Sequence, residues 1–592
     1  MDEAVKDTFD CDVLVIGSGG AGLRAAIAAA ENGSKTIVLS KGKANRSGAT
    51  LLAGANISGD IGCDGKSLWE LGFKDANPND SKEKWFQDII IESFYLANPD
   101  LVRKYVEDAP GRLRELIDWG VKVKGLEGER GVSVLGTSIL DSLYKRAKAL
   151  GVKFFEDELA AEILLDQGEP LGVISFEIPK GNFVFYRGSS IILATGGMHS
   201  VFPFHSGSSD LSGDGQALAL RAGAELIDME MVSFCPNVIK FPLKYRGNIL
   251  PYILQSFGYG EVLNASGENF LSDFYDKDLT FLALNTEWNK LLLSFAFHNE
   301  ISRGKGVQGN GLLYTIKSPA SPVFEKLYKE IPELKKAIFR EILSILEKGQ
   351  ALVVSPGAHY FEGGIKINSN METSLPGIFA AGECAGGLFG ANRVSSALTE
   401  MLVEGAVAGE NASFYAQKRG QKRPEVKSAA LNEKVEPLLK PFQARRGQSV
   451  LELKNYLHDL TYKYLWVSRD GHGLSMALDA MTNLARDSLN EICLKNKSPN
   501  YNKEWLDFLE LRNMVYCACA MAKSALLRKE SRGVHIRQDC FFIDNENWLK
   551  HILIIGDSLV SREEDVVREK MKISPNRIPY MEFLKDLVKS LS

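Results

Sequence analysis

The sequence predicts an α/β protein with a Rossmann-type dinucleotide-binding domain, an inserted α+β segment and a helical domain toward its C-terminus. Three observations carry that expectation. Residues 11–16, CDVLVI, form a short apolar run followed at once by the glycine turn GSGGAG, an Ala-rich stretch and a second apolar run at 36–39, the order of a βαβ unit. A strand-and-glycine texture returns at Ala351 after an irregular stretch between about 232 and 345. Residues 433–530 then read as helix. At 592 residues the chain exceeds what one hydrophobic core organises.

In order along the chain, Leu23–Asn32 is helical and ends at Gly33, a residue suited to the left-handed position after a helix. Residues 98–150 read as amphipathic helices. Strand patterns occupy 152–188, and Ser190–Ala194 is a buried strand closing in Thr195-Gly196-Gly197. The irregular stretch carries aromatic and glycine-rich loops with two or three helices. A helix is expected from Ser396 to Gln417, and 418–432, rich in Lys, Arg and Gln, reads as a linker. The expected units are 1–231 and 351–420 for the dinucleotide-binding domain, 232–350 for the insert, 433–530 for the helical domain and 531–592 for a mixed tail.

Composition excludes several classes. Apolar residues make up 45% and charged residues 24%, with net charge −5 and no basic block, which argues against nucleic-acid binding. No apolar run approaches 18 residues, so no membrane span is expected. The acidic start MDEAVKDTFD is unlike a secretory leader, and the expectation is a cytoplasmic protein, held at a membrane only through partners. Eight scattered cysteines lack metal-ligand spacing, so no metal or iron–sulfur cluster is expected in this chain.

Gly17, Gly19, Gly20, Ala21 and Gly22 are the candidate pyrophosphate turn: glycines let the backbone approach the phosphates, which rest on the helix N-terminus. The second strand ends in Ser40-Lys41, where an NAD site would place an acid. The second half of the chain favours FAD. LPGIFAAGE, residues 375–383, returns toward the same cofactor, with Glu383 placed for a ribose or ribityl hydroxyl. A cofactor gripped by such distant segments is long and extended. Ala194, Thr195 and Gly196, at the end of their strand, are further candidate contacts.

Taken in order, these segments resemble the flavoprotein subunit family of fumarate reductase, succinate dehydrogenase, aspartate oxidase and adenylylsulfate reductase. SGDGQALALRAGAELIDMEMV (212–232), HYFEGGI (359–365), GANR (390–393) and the Glu530-Ser531-Arg532-Gly533 phrase carry the resemblance over nearly the whole chain. It implies an α/β fold with a Rossmann-type FAD-binding domain split in sequence, an inserted α+β capping domain and a C-terminal helical domain. It places Asp214 beside the flavin. His359 and Arg393 take substrate-binding and catalytic positions, where both donate to a carboxylate, Arg393 as a bidentate fork. For the proton donor the resemblance offers Arg303 and Lys305, in the phrase Ser302-Arg303-Gly304-Lys305-Gly306.

The chain departs from the family at three places. Where relatives acting on fumarate or succinate show F-H-P-T-G, this chain reads Phe234-Cys235-Pro236-Asn237-Val238. A thiol does not replace a charged imidazole, and losing a charge-assisted bond costs about 1.5–3 kcal/mol. Cys235 and Asn237 therefore mark a substrate end that is larger, less charged or differently bound. Covalently flavinylated relatives have R-S-H-T where this chain has Arg46-Ser47-Gly48-Ala49-Thr50. Gly48 offers no nucleophile, and FAD should be non-covalent. At 393–400, RVSSALTE supplies Ser395 and Ser396 near the flavin. The implied activity is hydride transfer between flavin N5 and an unsaturated, carboxylate-bearing substrate, with electrons exchanged through a separate iron–sulfur or other electron-transfer subunit. The alternatives are an activity like adenylylsulfate reductase or aspartate oxidase, and an electron-relay flavoprotein whose substrate site has decayed.

Overall fold

The computed structural model describes residues 5–53, 59–256, 258–286, 288–317, 324–325, 328–329, 337–420, 426–567, 573 and 576–591. Of the expected linker, 421–425 lie outside the described residues.

The N-terminal strand β1 (Val5–Ile16) is longer than CDVLVI alone. It feeds α1 (Gly20–Glu31), then β2 (Thr36–Ser40) and β3 (Lys153–Glu156). The antiparallel meander β4 (Glu158–Asp166), β5 (Glu169–Glu177) and β6 (Asn182–Leu193) follows. These strands form one sheet in the order β3-β2-β1-β6-β5-β4. The pairings β3–β2, β2–β1 and β1–β6 are parallel, and the apolar C-terminal half of β1 lies buried among them, as expected of a parallel sheet covered on both faces. Between β2 and β3 the expected helices appear as Pro99–Asp118 and Gly136–Ala149. A small sheet of 59–62, 124–125 and 131–134 stands with them; strands of two to four residues give no readable periodicity.

Helix α2 (Asp214–Ala222) leads into β7 (Glu225–Ile227) and then the insert. In the insert, β8 (Val232–Phe241) and α3 (Asn289–Glu300) pack together, and β9 (Leu352–Phe361) returns. Their four-stranded antiparallel sheet has the order β8, β9, 312–316, 260–263. Strand β9, which carries His359, thus belongs to the insert's sheet. A second core beneath that sheet gathers Leu291, Leu292, Tyr314 and Leu343 with Tyr580 and Leu584 of the tail.

After β10 (Gly364–Lys366), β11 (Ile378–Ala380) pairs in parallel with the C-terminal end of β6, Ala380 opposite Leu193. This pairing brings the return segment to the glycine-turn end of the first sheet. The long helix α4 (Ala397–Arg419) lies against α1. The C-terminal half adds helices at 428–443, 450–464 and 471–486, and α5 (Lys503–Leu527). Cys517 and Cys519 are packing residues on α5. The tail strand Lys550–Ile555 joins a five-stranded sheet beside β7.

Candidate active site

A cleft of about 400 Å³ runs from the C-terminal ends of β1 and β2 to the junction with the insert, where ligands bind in open α/β sheets. Gly17, Gly19, Gly20 and Ala21 line one end, with Ser40, Lys41, Ser47, Gly48, Ala194, Thr195, Gly196 and Asp214. Gly22 lies behind this wall, where a Cβ would stand 2.0 Å from the Gly17 carbonyl oxygen, so its role is close packing of α1 on β1. Ser18 and Ser40 share a 2.6 Å hydroxyl contact. The Lys41 ammonium donates to Ser212 Oγ (2.7 Å) and Asp214 Oδ2 (2.8 Å) and lies 2.9 Å from Glu510 of α5. Burial opposes its charge, yet the two carboxylates hold its pKa above the ordinary lysine value. Gly215 N donates to Thr195 Oγ1 at 2.9 Å, joining α2 to this wall. The backbone N–H of Gly48 donates to Asp210 Oδ2 at 3.1 Å.

The other end is lined by His199, Ser206, Ile249, His359, Tyr360, Glu383, Arg393 and Glu400. His359 leaves β9 into the cleft, its Nδ1 2.8 Å from Ser206 Oγ. Burial keeps the imidazole neutral, reinforced by the charges of Arg393 and Lys290. His199 Nε2 lies 2.8 Å from the His359 carbonyl oxygen; burial first, then His205, lowers its pKa to about 3. The Arg393 guanidinium lies 4.6 Å from the Tyr360 ring centre, and its Nη1 donates to Ser395 O at 2.9 Å.

Glu362, Glu383, Glu400 and Glu404 stand near one another here, three of them buried, and the charge of Arg393 acts on Glu362, Glu383 and Glu400. Tyr360 Oη donates to Glu400 Oε2 at 2.5 Å, and Gly382 N donates to Glu404 Oε2 at 2.7 Å. Glu362 accepts from the Ser233 hydroxyl and, at 3.3 Å, from Arg393 N. Burial pushes the Glu362 and Glu400 carboxyls up to about 7 and Glu383 to about 8. Glu383 Oε1 is buried with no hydrogen-bond partner while lining the cleft. An unpaired buried polar atom is costly, and a hydroxyl-bearing ligand would satisfy it.

The sequence-derived candidates divide. Ser396 lines the cleft, but its Oγ accepts from Thr399 N at 3.2 Å and so caps α4. Ser395 meets Tyr105 Oη at 2.9 Å, off the cleft wall. Cys235 and Asn237 are buried on β8 and do not line the cleft. The Cys235 thiol lies 2.7 Å from Tyr252 Oη, and Asn237 Nδ2 donates to Gln255 Oε1 at 2.5 Å. The insert's own 250–256 segment thus engages both. Arg303 and Lys305 are exposed and do not line the cleft, and Gly304 between them adopts the left-handed φ of +78°. Lys305 lies 3.3 Å from Glu300 and 3.5 Å from Glu268. Sequence reasoning passed over His199, Ser206, Tyr360, Glu362 and Glu400. Three of these stand inside the motifs HYFEGGI and RVSSALTE, where an acid amid apolar and glycine residues was the available signal.

The glycine turn, the unpaired Glu383 oxygen and the continuous cleft fit an extended dinucleotide, and together they define an FAD-dependent oxidoreductase. Residues 12–398 match the FAD binding domain family, and 454–580 match the fumarate reductase flavoprotein C-terminal family. The chain belongs to the fumarate reductase flavoprotein family, whose members act on CH–CH groups. It is 30% identical to one chain of the fumarate reductase (CoM/CoB) of Methanothermobacter marburgensis, over 93% of this chain and 98% of that one. It is 30% identical to the fumarate reductase flavoprotein subunit of Mycobacterium tuberculosis, over 93% and 96%. The quinol fumarate reductase flavoprotein of E. coli superposes with a TM-score of 0.82 at 26% identity, covering 96% of this chain and 99% of that one. Adenylylsulfate reductase of Archaeoglobus fulgidus shares the fold, at 0.76 and 20% identity over 96% and 97%. Bound FAD would lie along the glycine turn, with Glu383 toward its hydroxyl-bearing chain. It supplies two-electron hydride chemistry, and Gly48 offers no side chain for covalent attachment. Among the described residues no helix is long and apolar enough to cross a membrane.

Proposed function

We propose that this chain is the catalytic flavin subunit of a reductase or dehydrogenase for a small unsaturated carboxylate, exchanging electrons with an iron–sulfur or other electron-carrier subunit. The observation that carries the reading is the meeting of Arg393 and His359 at the end of the cleft that continues from the glycine turn. Arg393, braced on Tyr360, offers a planar fork to a carboxylate. His359, held neutral and oriented by Ser206, offers a ring N–H to the same group or to the neighbouring carbonyl.

Charge at the cleft bounds the substrate. Its lining lysine and arginine, among the described residues, are Lys41 and Arg393, and Lys41 is engaged by Asp214 and Glu510 beside the glycine turn. One carboxylate is therefore matched at the Arg393 end. No second lysine or arginine among the described lining residues stands at that end, and Cys235 and Asn237 are engaged by Tyr252 and Gln255 off the cleft wall. Anaerobic titration of the reduced, FAD-loaded protein with fumarate, monomethyl fumarate and crotonate tests the reading. Return of the oxidised-flavin absorbance with at least one acid is expected. Reoxidation by none of them would favour the electron-relay alternative.

A further inference from the structure

The cleft wall is unfavourable to an approaching anion. It carries Asp60, Glu158, Asp210, Asp214, Glu383 and Glu400 against Lys41 and Arg393. Lys41 is already matched by Asp214 and Glu510, and the whole chain bears net charge −5. The pyrophosphate of bound FAD adds to that field. A carboxylate has to cross it to reach Arg393, and like charges slow such an encounter unless cations stand at the entrance.

Two cations stand beside the inner end of the cleft. Lys240, near the end of β8, and Arg246, in the turn that follows, both lie against the buried ring of Phe204, 5.5 Å and 5.0 Å from its centre. Lys240 also donates to the Asn310 carbonyl oxygen at 3.2 Å and lies 5.8 Å from the ring centre of Tyr462, in the helical domain. Arg246 Nη2 donates to the Pro203 carbonyl oxygen at 3.4 Å. Among the described residues neither forms an ion pair with a carboxylate, whereas Lys244, between them in sequence, is matched by Glu341 at 2.6 Å. Burial, and then the neighbouring Arg246, lower the Lys240 pKa to about 8. Holding two unmatched like charges together costs stability, and an anion bound to both removes that cost.

Both anchor points run directly into the cleft wall. Ser206 and Gly207, just beyond Phe204, line the cleft, and Ser206 holds His359. Ile249, just beyond Arg246, lines it as well. The turn folds back on β8 to bring it there: Gly247 N donates to Ile239 O at 2.9 Å, and Ile239 N donates to Asn248 O at 2.8 Å. With Arg246 exposed and Lys240 half-buried, the pair stands on the outward continuation of the wall that holds His359.

We propose that Lys240 and Arg246 form an anion-receiving rim, which takes the substrate's carboxylate from solvent before it passes to Arg393. The inference rests on the reading of the cleft as a site for an unsaturated carboxylate. The rim acts on the encounter and leaves the chemical step alone. Its effect is therefore larger for a dianion than for a monoanion, and salt suppresses it, since charges are screened beyond about 10 Å at 0.1 M and about 3 Å at 1 M ionic strength.

The test is stopped-flow reoxidation of the reduced, FAD-loaded protein by fumarate, monomethyl fumarate and crotonate. It compares wild type with Lys240→Gln, Arg246→Gln, the double variant and Lys244→Gln, and FAD content reports folding. Steering changes association rates by about 10–10³. At about 0.01 M ionic strength the double variant should lose about tenfold in the slope of rate against acid concentration, while the plateau rate changes less than about twofold. The loss should be greater for fumarate than for its monomethyl ester, and at about 1 M salt the variant and wild type should converge. Lys244→Gln should keep the wild-type slope, because its charge is already matched by Glu341. An unchanged slope at low salt, a loss that persists at high salt, or an equal loss in the plateau rate would overturn the rim. Reoxidation of wild type with unaltered variants removes this inference alone; a wild-type protein that none of the acids reoxidises removes the functional reading and the inference with it.

Discussion

Arg393 stacks over the Tyr360 ring, and Tyr360 in turn donates to Glu400, so the guanidinium reaches the cleft from a braced platform. Truncating it removes the cation at that end but leaves the glycine turn, Lys41 and Glu383 in place. Arg393→Ala should therefore keep its FAD colour and lose carboxylate-dependent flavin reoxidation by about ten- to a hundredfold, the value of about 1.5–3 kcal/mol for bonds to a charged group. Unchanged turnover would remove Arg393 from the substrate site. At the other end of the cleft, Gly17 adopts φ +109°, and a Cβ there would lie 2.2 Å from the Ala194 carbonyl oxygen. Both the dihedral and the clash oppose a side chain, and backbone rather than a movable side chain is in the way. Gly17→Ala should yield protein that retains little FAD after gel filtration, read as the absorbance ratio at flavin and protein wavelengths. Full FAD occupancy would show that the β1–β6 junction yields more easily than this geometry implies. Residues of this kind were legible in the sequence because a glycine turn and an arginine fork are local chemical requirements. Glu362 was not, because a buried acid on an apolar strand resembles any solvated one until its face is known.

Helix α4 joins the return segment to α1 and carries two buried glutamates, Glu400 and Glu404, near its start. Its capped N-terminus faces the cleft through Ser396, Ala397 and Leu398. This end of the helix favours negative charge, yet burial dominates. Glu400 is pushed up to about 7, Glu404 is raised by burial and by Glu400, and Glu383 in the adjoining turn reaches about 8. Carboxyls whose folded pKa lies above the unfolded value add stability that is complete below about pH 4.5, and the gain disappears as pH rises through the folded values near 7 and 8. The histidines act oppositely. His199 falls to about 3 and His205 to about 4, both chiefly through burial, so their contribution is complete above about pH 6.5 and declines as pH falls through those values. The melting temperature should therefore fall toward acid through the histidine values and, through the carboxyls, as pH rises from about 4.5 to about 8. Glu400→Gln, which retains an acceptor for Tyr360, should flatten only the alkaline decline in a thermal-melt series. An unaltered alkaline slope would mean that Glu400 is ionised in the folded protein. The sequence showed α4, β1, α1 and β2 clearly because each is long, apolar and bounded by glycine or a cap. The short strands at 59–62 and 124–125 were hidden, since pairing with distant partners, rather than their own pattern, makes them strands.

The helical and tail segments are joined to the sheets through one buried charge network. Arg528, after α5, donates to Glu230 at 2.5 Å, Asp228 at 3.2 Å and Glu530 at 3.2 Å. Glu530 also accepts from Arg532 at 2.6 Å, and Arg532 donates to the Phe94 carbonyl oxygen at 2.8 Å. His551 of the tail sheet meets Asp228 at 2.6 Å. Four separate stretches of chain thus meet around two guanidinium groups at the point where the polypeptide leaves β7 for the insert. The phrase around Glu530 was readable as a motif, but the partners of its neighbours, Glu230 and Asp228 for Arg528 and Phe94 for Arg532, lie hundreds of residues away and only the fold identifies them. The same holds for β9, whose place in the insert's sheet puts His359 on the boundary between the two cores. Removing one partner of a buried ion pair costs about 3–5 kcal/mol because the remaining charges lose compensation. Arg528→Met, which keeps most of the apolar stem, leaves Asp228, Glu230 and Glu530 facing one another. The FAD-loaded variant should unfold in urea with a loss of about 3 kcal/mol or more at pH 8, and flavin should be released in the same transition as the protein signal, because the network sits directly beyond α2 and β7. At pH 5.5 the loss should be smaller, since the uncompensated acids can then take up protons and cease to repel. An equal loss at both pH values would indicate that packing of the arginine stem, and not its charge, joins the C-terminal half to the cofactor domain.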